Sequence, residues 1–152
     1  MDIEAPYDLS IVGAGPVGLY AAYYAGFRRL KTVVLDGLPQ VGGQISTMYP
    51  EKLIHDVAGF SSIKGAELVS NLFEQSKRQN YDLLLSESVS SLTPLGSDYR
   101  LTTESGRSLV TKSVVIAGGL GCCQPRTLPV LEGVVSENIM HFVPDQIGRA
   151  HV

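Results

Sequence analysis

The stretch from Leu9 to Asp36 constrains the chain more than any other. A short apolar run, Leu9-Ser10-Ile11-Val12, leads into Gly13-Ala14-Gly15-Pro16-Val17-Gly18. An apolar-rich stretch continues to Leu30, and a second run, Thr32-Val33-Val34-Leu35, ends on Asp36. This order predicts strand, glycine turn, helix, strand and acid, which is the βαβ arrangement that binds dinucleotides.

Each residue type has a physical task there. Gly13 permits a tight turn out of the strand, and Gly15 has no side chain to hold a pyrophosphate away from the backbone. Gly18 lets the helix approach the sheet closely. Pro16 suits the first helical turn, where a missing N–H costs nothing. The free N–H groups of that turn, which includes Val17, and the positive helix end then face the phosphates. Asp36 can accept hydrogen bonds from ribose hydroxyls and repels a ribose carrying a 2′-phosphate. The first site is therefore expected to take FAD or NAD, not NADP.

At 152 residues the chain can bury one core, so one domain or part of one is expected. A formal charge of −3 gives no reason to expect a nucleic-acid partner. No apolar run approaches membrane-spanning length, and the acidic start Met1-Asp2-Ile3-Glu4 lacks a signal-peptide pattern. Cys122 and Cys123 are adjacent, which makes neither a CxxC motif nor a metal site. Reduced thiols in a cytoplasmic protein are expected. His55 and His141 have no neighbouring ligand spacing either.

The first helix is expected over residues 15–30, with apolar and small residues (Val17, Leu19, Ala21, Ala22, Ala25) on most faces, as in a helix packed between sheet and neighbours. Arg28, Arg29 and Lys31 complement its C-terminal dipole. After Asp36 the chain reads as loop, and Gly42-Gly43-Gln44 implies backbone close to something flat or anionic. Gln44 both donates and accepts, which suits the polar edge of a flavin ring. Tyr49, fixed by Pro50, either stacks on a ring ligand or packs on its own loop.

A second helix is expected from Gly65 to about Gln79, with Asn80 as its cap, then a buried parallel strand, Asp82-Leu83-Leu84-Leu85. Residues Glu87 to Val110 read as a small antiparallel meander with turns at Pro94-Leu95-Gly96-Ser97 and Glu104-Ser105-Gly106-Arg107. Thr111 to Gly119 returns to a buried strand ending in glycines.

Gly42-Gly43-Gln44-Ile45, Tyr49-Pro50-Glu51-Lys52 and Asp56-Val57-Ala58-Gly59-Phe60 resemble ferredoxin–NADP reductases of the thioredoxin-reductase-like type. Thioredoxin reductases share the first fingerprint and Gly42-Gly43-Gln44, but usually continue with an Asn-Phe-Pro-Gly-Phe-like stretch. The resemblance runs from about Tyr7 to Asp145. It implies an α/β fold: a Rossmann-like FAD-binding domain, a parallel sheet with helices plus a small antiparallel β-meander, truncated. It also implies FAD contacts at Gly43, Gln44 and Tyr49, and backbone contacts near Val89 and at Cys123, where the family commonly has phenylalanine before Gln124-Pro125-Arg126. Gly118 stands where the family's second flavin motif usually has threonine.

The implied activity is electron transfer between NADPH and ferredoxin or flavodoxin through FAD, in a cytoplasmic homodimer, with no catalytic acid or base in this chain. Family members continue into an NADP-binding domain with its own glycine fingerprint. Residues 1–146 are therefore expected to be the first part of the FAD-binding domain. Ile147-Gly148-Arg149-Ala150-His151-Val152 matches a reading frame of a common sequencing adapter and is expected to be a non-native tail. Two other readings stand beside this one: a thioredoxin reductase fragment, whose CxxC would lie in the missing domain, and a stand-alone FAD- or NAD-binding module. A full-length sequence separates them by the presence of a second fingerprint and of a CxxC.

Overall fold

In a computed structural model, which describes residues 6–121, the pattern around Asp36 folds as its spacing dictates. The order is β1 (Leu9–Val12), α1 (Pro16–Phe27), β2 (Thr32–Asp36), α2 (Gly43–Met48), β3 (Leu53–Ile54), β4 (Ile63–Lys64), α3 (Gly65–Ser76), β5 (Asp82–Leu85), β6 (Val89–Leu95), β7 (Asp98–Thr103), β8 (Ser108–Thr111) and β9 (Val114–Ile116). A four-stranded parallel sheet has the order β5-β2-β1-β9, with Ile11 opposite Val34 and Val115. Strands β6-β7-β8 form a separate antiparallel sheet, and β3-β4 a two-stranded ribbon.

Alternation along β2 divides its side chains between two cores. Val33 and Leu35, fully buried, face the meander and pack with Tyr7 and Leu101. Val34 faces the helices with Ile11, Ala14 and Ala22. Burial on both faces is why β2 carries no polar alternation. Tyr7 ties the layers together: its hydroxyl donates to Asp82 Oδ2 at 2.7 Å, its N–H to the Val110 carbonyl at 2.9 Å.

Helix α1 ends three residues before the expected boundary. The Arg29 N–H donates to the Gly26 carbonyl and the Leu30 N–H to the Ala25 carbonyl, at 2.8 and 3.1 Å. That double closure is a Schellman cap, and it holds Arg29 at φ 59°. The expectation that α1 is covered on most faces is corrected among the described residues. Gly18, Leu19, Ala22 and Ala25 are buried, but Val17, Tyr20, Tyr24 and Phe27 are 50–69% exposed. The buried face is made of small residues and Leu19, while Val17 and the aromatic residues Tyr20, Tyr24 and Phe27 point outward.

Other boundaries shift for physical reasons. Helix α3 is capped at Lys77 rather than Asn80. Pro94 and Leu95 belong to β6, not to the turn; among the described residues β6 is an edge strand, where proline's missing donor is tolerated. Strands β5 and β9 are only partly buried, because each flanks the sheet among the described residues; Ile116 is 77% exposed. The loop expected after Asp36 contains α2, whose N-cap Gly42 has φ 105°.

Candidate nucleotide site

The three fingerprint glycines fall into different structural circumstances. Gly13 sits at φ 107°, and a Cβ there would collide with the Ala117 carbonyl. A Cβ on Gly18 would strike the carbonyl of Gly13, so that glycine sets the helix–strand distance. Gly15 is different. Its φ of −70° suits any residue, and a Cβ there would meet nothing within 4 Å. Nothing among the described residues requires glycine at this position, so the empty space in front of it is what the residue provides. Among the described residues no side chain caps α1, which leaves its first-turn N–H groups unclaimed by a cap. These features fit a pyrophosphate drawn against backbone.

The turn lines a cavity of about 490 Å³ at the carboxyl ends of β1, β2, β5 and β9. The chain proceeds from β1 outward to β2 and β5, then returns to place β9 on the other side of β1. That is a topological switch point, where open parallel sheets bind ligands. Gly43, at φ 55°, lies across from the turn, and the Gly42 N–H donates to the Ala14 carbonyl at 2.8 Å. A second glycine pair therefore packs on the first.

Asp36 is bound twice by backbone. Its Oδ2 accepts from the Ala14 N–H at 2.6 Å and its Oδ1 from the Leu38 N–H at 2.8 Å. A carboxylate offers about four lone-pair sites, so capacity for ribose hydroxyls remains while the side chain is already fixed.

Gly13, Gly15, Pro16, Val17, Asp36, Gly43, Gln44, Tyr49 and Val89 all line the cavity. Gly18 lies behind the turn, buried against the strand. Cys123 and the 147–152 tail lie outside the described residues. Both readings of Tyr49 retain support: it lines the cavity, and the Lys52 ammonium sits 5.4 Å from its ring centroid. Among the described residues no cluster of His, Cys, Asp or Glu could hold a metal, and no helix is long and apolar enough to cross a membrane.

Glu87 is the site residue that the sequence did not disclose. It lines the cavity, and its side chain is 13% exposed. Hydrogen bonds from Ser105, then Thr103 and Arg107, hold its carboxyl at about 2, far below the usual 4.5. Ser105 and Arg107 stand 18 and 20 residues away, so no local spacing marks it.

A family model for an NAD(P)-binding Rossmann-like domain matches residues 11–76. A ferredoxin–NADP reductase of Salinispora tropica is 51% identical over 137 residues, covering 90% of this chain and 42% of that protein. One from Lactiplantibacillus plantarum is 43% identical over 140 residues, covering 92% and 42%. Among solved structures, thioredoxin reductase from Streptococcus pyogenes aligns with a TM-score of 0.67 at 28% identity, covering 82% of this chain and 38% of that one. The fold is thus Rossmann-like, and the chain is similar to ferredoxin–NADP reductases along most of its length. It spans about two fifths of the length of the curated relatives it matches.

Proposed function

We propose that residues 1–146 are part of the FAD-binding domain of an NADPH-linked flavoprotein oxidoreductase that exchanges electrons with ferredoxin or flavodoxin. The single observation that supports FAD most directly is Gly15: a backbone that permits any side chain, set before open space in a glycine-walled cavity. Gly13, Gly15 and the first turn of α1 would hold the pyrophosphate, and Asp36 the adenosine ribose. Gln44 and Tyr49, on the α2 side, would meet the flavin end. When bound, FAD supplies the conversion between two-electron hydride chemistry and single-electron transfer. The protein's own residues position it and shape its electrostatics. High identity to proteins named ferredoxin–NADP reductase supports this activity over that of thioredoxin reductase. A homodimer in the cytoplasm completes the reading, and residues 147–152 are taken as a non-native tail.

The test uses the complete protein encoded at the parent locus. It should purify yellow, release FAD rather than FMN on extraction, and reduce a ferredoxin at the expense of NADPH. FMN as the sole flavin would remove the FAD assignment. FAD together with a CxxC and thioredoxin reduction would move the protein to the thioredoxin reductases.

A further inference from the structure

The cavity wall beside Asp36 is Glu87 to Val89, the end of the connector from β5 and the first residue of β6. It is held from two sides. The Glu87 N–H donates to the Asp36 carbonyl at 2.9 Å, and the Glu104 N–H to the Ser88 carbonyl at 2.8 Å. The Glu87 carboxylate then reaches into the β7–β8 hairpin, accepting from the Ser105 hydroxyl at 2.6 Å and from Arg107 Nε at 3.0 Å.

The hairpin is closed on itself to present those two donors. Thr103 exchanges backbone bonds with Arg107 and Gly106, and its hydroxyl lies 2.9 Å from that of Ser105. Arg107 also neutralises a carboxylate that would otherwise repel an anionic ligand. Asp36 marks the ribose position, and the wall stands on the far side of β2 from the phosphate turn. It therefore faces the adenosine half of a dinucleotide, while the β9 glycines lie at the opposite end.

We propose that Glu87 is a positioning residue for the adenosine half of the nucleotide. Its carboxylate, clamped by Ser105 and Arg107, fixes the Glu87–Val89 backbone as a rigid wall, and makes the meander a working part of the nucleotide site. The proposal rests on the FAD-binding reading above.

The experiment uses the full-length protein stripped of flavin, with ADP and FMN as probes, each displacing FAD. ADP reports the adenosine half and FMN the flavin half. Glu87→Gln should weaken ADP by about tenfold, the effect of losing one charge-assisted contact, and leave FMN displacement unchanged. Arg107→Ala should give the same selective loss, and the double variant no further loss, since both act through one contact. Ser105→Ala offers a milder version if either variant folds poorly. Equal losses for ADP and FMN would reduce Glu87 to general support of the fold and overturn the proposal, as would no loss for either. Absence of FAD binding by the unaltered protein is distinguishable from both, and overturns the underlying reading as well.

Discussion

Alanine at Gly15 should separate ligand binding from folding. In the protein alone, two small terms oppose each other. Replacing glycine at a permissive φ stabilises by about 0.4–1 kcal/mol through the unfolded chain. Losing glycine at an N-cap costs a similar amount, roughly 0.5–1 kcal/mol. With no atom of the described residues beyond its chain neighbours within 4 Å of the new Cβ, no steric term is added, so flavin-free stability should stay within about 1 kcal/mol of the parent.

Binding should respond very differently. The methyl group would occupy the space against which the pyrophosphate seats, and hydrogen bonds to a charged group contribute about 1.5–3 kcal/mol each. Loss of two such bonds amounts to about 3–6 kcal/mol, or two to four orders of magnitude in FAD affinity. Urea unfolding of the stripped full-length protein and FAD titration by flavin fluorescence measure the two quantities separately. Gly13→Ala and Gly18→Ala are the controls. Their added Cβ atoms collide with backbone, so both should lose stability before any ligand is added. Gly15→Ala with normal FAD affinity, or with stability lost to the same extent as in Gly13→Ala, would show that Gly15 serves the fold and not the ligand.

Arg29→Gly should raise stability by about 1 kcal/mol in urea unfolding, because an L-residue at the left-handed cap position is strained. The Glu87 carboxyl lies at about 2 when folded against an ordinary 4.5. Its contribution is therefore complete above about pH 4.5 and lost as pH falls toward 2; unfolding measured across that window should show a shallower acid limb in Glu87→Gln than in the parent. Tyr49→Ala should weaken FAD by about tenfold and shift the flavin's absorption and emission if the ring stacks on it; an unchanged spectrum and affinity would leave Tyr49 packed with Lys52 on its own loop.

The βαβ unit was legible because its signals are local and redundant: two apolar runs, a glycine at each required offset and an acid at the end of β2. The short helix α2 was not. Six residues starting from a glycine at φ 105° have neither a polar cap nor enough length to show a period. Apolar runs such as Val114-Val115-Ile116 announce a strand without revealing its position in the sheet, so β9 read as buried. The Ala14 N–H bond that helps fix Asp36 and the hairpin that fixes Glu87 depend on tertiary approach, which no spacing in the sequence encodes.

The pairing of Ser10 with Val114 joins positions about a hundred residues apart. Such closure carries a large loop entropy and makes for slow, topology-limited folding. During synthesis from the N-terminus, β1, α1 and β2 can associate long before Ala117 leaves the ribosome. The wall behind Gly13, to which the Ala117 N–H is joined through the Val12 carbonyl at 2.7 Å, therefore forms after the rest of the phosphate turn. On the proposed function, nucleotide loading would await arrival of the distant strand, and a nascent chain short of it would present an apolar half-sheet to its surroundings.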